Sequence, residues 1–314
     1  YGCALINTHP PKKVARMMWQ ENLTYKPPLD REEVRGIYAQ VLKHFEGPEE
    51  EDAPEQPLGV DIQDVLKLDI PPLEQLIGPF CKGGVYIIAG PPGVAKSFWT
   101  GFIWNAIAGE QQFNEWTIPR NERVFLIDGE MNYRLQYPRW SMMPKHRGVT
   151  VVTEDQFVES GSMPVLSEKR WQDHFASELY ADYGVFVFDT TSSLFNTPGD
   201  MKATDAEYWA QVQGFNRRMR QQGKTLFYID HTTGYDKKKV GGSYTKLQGV
   251  EAAIILTDER DDPDGPPLFH TTAIKNRVYF EGSPGFSSRW WWSGEFERFF
   301  RGPIPPQEPK KGKK

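Results

Sequence analysis

From Leu58 onward, short apolar runs alternate with stretches whose apolar residues recur at helical spacing. The runs Val85–Ala89, Arg123–Ile127, Val149–Val152, Val185–Phe188, Thr225–Ile229 and Ala252–Leu256 predict strands. Ser97–Ala108, Glu168–Ala181 and Ala206–Gln221 predict helices between them. Strands that are apolar almost throughout and separated by helices imply an α/β fold, with a mostly parallel sheet covered on both faces. After Asp258 the helical spacing stops. Phe269–Ile274, Val278–Phe280, Arg289–Trp292 and Glu297–Phe300 predict a C-terminal antiparallel extension. Alternation along Trp290-Trp291-Trp292 places at least one of these rings in the core and leaves others for a subunit contact.

The N-terminal part has a different pattern. Tyr1–Leu29 shows no clear period. Asp30 to Glu33 then reads as a capping box, and Val34, Ile37, Tyr38, Val41, Leu42 and Phe45 share one face. That predicts an amphipathic helix over about residues 30–46, stopped by Gly47-Pro48. Glu49–Pro57 is acidic and Pro-rich, as linkers are. A helix tethered this way must dock, either on its own domain or on a neighbouring subunit, and the pattern favours neither. The organisation expected is an arm over 1–57, an α/β domain over 58–302 and a disordered basic tail over 303–314.

Composition narrows the partners. The formal net charge is −5 over 314 residues, so any nucleic-acid contact has to be a local patch. Cys3 and Cys81 give neither a disulfide framework nor a zinc spacing, and a reducing, cytoplasmic setting is expected. No apolar run approaches the ~18 residues of a membrane span, and no secretory signal is visible. A chain beginning at Tyr1 is expected to be a piece of something longer.

Chemistry concentrates just after the strands, where open α/β sheets bind ligands. Gly90-Pro91-Pro92-Gly93-Val94-Ala95-Lys96-Ser97 follows the first strand and opens a helix, which is the context of a phosphate-binding loop. Its backbone N–H groups, continuing through Phe98, would wrap a polyphosphate at a helix N-terminus. Lys96 would reach the β/γ-phosphates, and the Ser97 hydroxyl would ligate Mg²⁺. Ala95 stands where a second Gly is expected; a positive φ there would cost about 1 kcal/mol. Asp189, closing a large apolar run, would hold the Mg²⁺ water shell beside Ser97. Glu130 would orient and deprotonate an attacking water, and His231 would sense the γ-phosphate. Lys275-Asn276-Arg277 could offer cations to a neighbour's phosphate in trans. Lys237, Lys238, Lys239, Tyr244 and Lys246 lie in or beside a cationic segment that, taken in isolation, reads first as a solvated surface loop and second as a contact for the backbone of single-stranded nucleic acid.

Taken in order, these motifs resemble the RecA-like core of hexameric replicative helicases. The likeness is greatest to the RepA-type ATPases of plasmids and phages, with DnaB-type helicases as cousins. The pieces are Ile70-Pro71-Pro72, the phosphate loop, Ile127 to Met131, Phe188 to Phe195, Asp230 to Gly234, Gly242-Ser243 with Gln248 to Glu251, and Lys275-Asn276-Arg277. The resemblance implies a RecA-like P-loop fold that uses ATP and Mg²⁺. Lys96 and Ser97 would bind them, with Asp189 as the Walker B acid, Glu130 as general base and His231 as γ-phosphate sensor. Lys275 and Arg277 would enter the adjacent subunit's site. It further implies a homo-oligomeric, hexameric ring on single-stranded DNA, with a primase or other replication module as a further partner. The channel loops would follow Phe195 and His231. Asp230 departs from the family, where many relatives carry a second His. A RecA-like filament ATPase, and a nucleotide-binding assembly module with weak hydrolysis, are the alternatives.

Overall fold

A computed structural model describes residues 11–24, 28–42, 59–160, 164–194, 206–233, 240–241, 245–280 and 285–304. The chain divides into two compact units, Tyr1–Pro71 and Pro72–Lys314.

In the first unit, helix α1 (Pro11–Asn22) precedes helix α2 (Arg31–Leu42). The capping box forms as the sequence predicts. The Asp30 N–H donates to Glu33 Oε2 at 3.0 Å, and the Glu33 N–H donates to Asp30 Oδ1 at 2.9 Å. On α2, Val41 is buried with Tyr38 and Met18 packed on it, so part of its apolar face meets α1. Helix α1 is missing from the sequence reading, although Val14, Met17 and Met18 recur at helical spacing within it. The acidic segment and the end of the expected helix, 43–58, lie outside the described residues, as does the tail after Ile304.

The second unit is built on one nine-stranded sheet. Its strands are β1 (Val85–Gly90), β2 (Arg123–Asp128), β3 (Val149–Val152), β4 (Tyr183–Asp189), β5 (Thr225–His231), β6 (Ala252–Asp258), β7 (Leu268–Asn276), β8 (Ser288–Ser293) and β9 (Arg298–Arg301). Their order is β9-β8-β7-β6-β1-β5-β4-β2-β3. Strands β1 to β6 pair in parallel, and β7 to β9 extend the sheet antiparallel from β6. Every residue of β1 is buried, as a central parallel strand requires. Alternation sends Tyr86 and Ile88 to the face covered by helix α3 (Lys96–Gly109). Val85, Ile87 and Ala89 go to the face covered by helix α4 (Ala206–Gln221). The sheet therefore has two cores, one on each side.

The antiparallel extension braces α3. Trp290 is fully buried against Trp99 of α3 at 5.2 Å between ring centroids, and against Trp116 at 5.1 Å. Its indole N–H donates to Thr271 Oγ1 at 3.1 Å. Trp292 packs on Phe98 of α3 at 4.7 Å, whereas Trp291 stacks on Phe300. The first turn of α3 is thus held by aromatic rings from the far end of the chain.

Two expected elements differ. Val278–Phe280 is not a strand: the Asn276 side chain accepts the Val278 N–H at 3.1 Å and ends the ladder. The expected helix over Glu168–Ala181 is a shorter one, Lys169–Phe175, followed by a 3₁₀ turn at Glu178–Tyr180. Tyr180 there turns edge-on to Phe125 of β2 at 4.8 Å. A further helix, α5 (Tyr133–Ser141), contains Pro138, which hides it from a sequence reading.

Candidate nucleotide site

The carboxyl ends of β1, β5, β4 and β2 lie side by side, and the site forms there. Gly90 ends β1 where no side chain fits: a Cβ would stand 2.9 Å from Val94 Cγ1 and 3.1 Å from the Leu256 carbonyl oxygen. The loop then carries Gly93 at φ +79° and Ala95 at φ +73° into α3. No side chain caps the helix at Ala95. Its first N–H groups therefore have no side-chain acceptor, and the helix dipole adds partial positive charge at the same point.

Lys96 is buried and donates to the carbonyl oxygens of Gly90 at 2.9 Å and Pro91 at 3.1 Å. Burial pushes its ammonium below the usual lysine range, against the pull of Asp189, Glu130 and Asp230. The Ser97 hydroxyl stands beside Asp189 and favours the charged form of its carboxyl. Asp189 pairs with Asp128 across β4 and β2, and burial together with that second carboxylate raises its pKa. A paired hydroxyl and carboxylate at a buried, proton-attracting point fit Mg²⁺. That ion takes one or two carboxylates and completes its shell with water and phosphate oxygens.

Glu130 faces the same cleft. The Thr190 hydroxyl donates to its Oε1 at 2.5 Å, and His231 Nε2 lies 3.4 Å from that oxygen. The other His231 nitrogen, Nδ1, lies 3.4 Å from Lys96 Nζ. Lysine can only donate, so Nδ1 accepts and Nε2 carries the proton toward Glu130. The His231 bond holds the Glu130 carboxyl below the usual glutamate range, and burial opposes it. Lys96, Ser97, Glu130, Thr190 and His231 line one cleft of about 390 Å³, with Arg139 and Met142 on a wall that the sequence reading missed. Arg139 lies on the Pro-containing helix α5, which explains the omission.

Residues 50–234 match the family described as AAA domain, which covers more than half of the chain. The chain belongs to the AAA domain family. Among solved structures, it is similar to a KaiC-like protein from the hyperthermophilic archaeon Pyrococcus horikoshii OT3. The likeness covers 74% of this chain and 100% of that one, at 11% identity and a TM-score of 0.47. No curated protein sequence matches it. Among the described residues, no helix is long and apolar enough to cross a membrane.

The fold places some expected residues away from the cleft. Lys246 is corrected: it is buried, its Nζ sits 2.7 Å from Asp230 Oδ2, and it lies over the Trp209 ring at 5.1 Å. An ammonium so enclosed has no surface to offer a nucleic-acid backbone. Asp230 also accepts from the Thr191 hydroxyl at 2.7 Å and the His231 N–H at 2.8 Å, which accounts for an acid at this position. Lys237, Lys238, Lys239 and Tyr244 lie outside the described residues. Lys275 and Arg277 sit at the opposite end of the sheet from this chain's own phosphate loop, since Asn276 pairs with Ala252 at the start of β6. The Lys275 ammonium is engaged by the Leu247 and Gln248 carbonyls. Arg277, among the described residues, has no side-chain hydrogen bond or ion pair.

Ala95 yields a direct prediction. Its left-handed backbone costs roughly 1–2 kcal/mol for a residue with a Cβ; the added freedom of an unfolded glycine takes back about 0.4–1. Ala95→Gly should stabilise the second unit by up to about 1.6 kcal/mol, raising the melting temperature by roughly 2–4 °C per kcal/mol in calorimetry. A lower melting temperature would mean the loop does not hold this conformation in solution.

Proposed function

We propose that this chain is an ATP-hydrolysing motor that works as a homo-oligomeric ring on single-stranded DNA, in phage or mobile-element replication. The observation that carries the hydrolytic reading is the convergence of Lys96, Ser97, Glu130, Asp189 and His231 from three strand ends and a helix start. The phosphate loop and the α3 N-terminus would cradle the triphosphate, with Lys96 released from its carbonyl partners to meet it. Ser97 and Asp189 would hold Mg²⁺, which when bound neutralises charge on the phosphate oxygens. Glu130 would take the proton of the attacking water, its carboxylate aimed by Thr190 and His231. His231 touches both Lys96 and Glu130, so a change at the γ-phosphate would reach β5 and the segment after it.

The ring rests on a separate point. Arg277 lies at the opposite end of the sheet from its own phosphate loop, so the triphosphate it would serve is another copy's; Lys275 would have to leave its carbonyl partners to join it. The DNA reading rests on the sequence of the Lys237–Lys239 segment.

The test is ATP turnover with and without single-stranded DNA, together with particle mass in ATP. Turnover stimulated by DNA in a hexamer-sized particle is expected. Turnover by single copies would sink the shared site, and turnover indifferent to DNA would remove the motor reading.

A further inference from the structure

Just past β6, Arg260 uses all five of its N–H donors. Nε and Nη2 grip Asp258 at 2.9 and 2.6 Å, and Nη1 reaches the carbonyl oxygens of Pro263 at 2.8 Å and Gly265 at 3.5 Å. The remaining Nη2 proton goes to the Gly93 carbonyl oxygen at 3.0 Å, in the phosphate loop. The side chain is only 14% exposed. Two residues beyond Gly265, Pro267 lines the nucleotide cleft together with Pro92, Gly93 and Ala95.

We propose that Arg260 is a positioning residue for the nucleotide. It fastens the tip of the phosphate loop to the 263–267 wall and holds Ala95 in a backbone conformation that alanine disfavours. The bond falls on Gly93, between the end of β1 and the left-handed Ala95, where an unfastened loop would relax. The guanidinium is itself anchored to the end of β6, so the clasp is referred to the sheet. A loop with glycine at position 95 would need this fastening less, which ties the two residues together. Lysine carries its three donors on one nitrogen, where arginine spreads five over three, and cannot reach Asp258, Gly93 and the 263–265 carbonyls together.

The test uses the full chain carrying Arg260→Ala, Arg260→Lys or Arg260→Ala with Ala95→Gly. Amide hydrogen exchange without nucleotide should quicken in 91–98 and 261–268 while the strand cores keep their protection. Unchanged exchange at the loop, or faster exchange throughout the sheet, would overturn the role. The kinetic arm rests on the ATPase reading. There, Arg260→Ala should raise the KM for ATP roughly ten-fold, the scale of one charge-assisted hydrogen bond, with kcat nearly unchanged. Arg260→Lys should recover little, and Ala95→Gly should recover most of the loss. A fall in kcat alone, or no recovery with glycine, would overturn the role. If the unaltered protein turns over no ATP, the ATPase reading fails, and the exchange measurement still decides Arg260.

Discussion

Glu130→Gln should slow ATP turnover by roughly 10²–10⁴-fold, the range of general-base catalysis, while nucleotide binding stays close to that of the unaltered protein. Glutamine keeps the shape of the side chain and the oxygen that accepts from Thr190 at 2.5 Å. It loses the capacity to take a proton from water. Binding should survive because Lys96, Ser97 and the loop amides, which would hold the triphosphate, are untouched. Steady-state turnover paired with titration of a fluorescent ATP analogue separates the two effects. Full activity in this variant would remove Glu130 as the base. Joint loss of binding and turnover would instead assign it to the shape of the cleft.

Lys246→Met should destabilise the second unit by about 3–5 kcal/mol, the cost of leaving a buried charge without its partner. At roughly 2–4 °C per kcal/mol for a unit of this size, the melting temperature falls by on the order of 10 °C. The remaining Asp230 carboxylate would keep only the Thr191 hydroxyl and the His231 N–H. Asp230→Asn together with Lys246→Met should recover most of the loss, because the neutral amide can still accept from both donors. Calorimetry of the single and double variants reads this out. A melting temperature unmoved by Lys246→Met would refute the buried pair. The same variant tests whether Lys246 touches DNA. A phosphate-contacting lysine would lower the salt dependence of DNA binding by about one unit when removed, and here no such change is expected.

Much of the candidate site is legible before folding because the phosphate loop is a local object. Its glycines, its lysine and its strand and helix neighbours all lie within one short stretch. Glu130, Asp189 and His231 are legible for a different reason: a parallel sheet brings strand ends together, so a polar residue just after an apolar run is already near the site. Arg139 and Arg260 are not legible in this way. One sits on a helix interrupted by proline, and the other meets the phosphate loop across a separation of 167 residues. The conformation of Ala95 lies between these cases, since the motif raises the question of a positive φ and the fold answers it with +73°.

The alternation of buried strands and amphipathic helices, the position of the phosphate loop and the carboxylates at strand ends are all written into the order of residues. Apolar periodicity and turn chemistry act over a few residues and leave their record in the order of side chains. Tertiary structure alone decided which charges are buried. Lys246 reads as one more cation in a basic stretch until β5 supplies Asp230, and Lys275 until the chain between β5 and β6 supplies two carbonyls. Charge is a property of the residue, whereas desolvation is a property of whatever packs around it. For the same reason the three consecutive tryptophans acquire separate tasks only once α3 covers one face of β8 and β9 pairs alongside it, setting Phe300 beside Trp291.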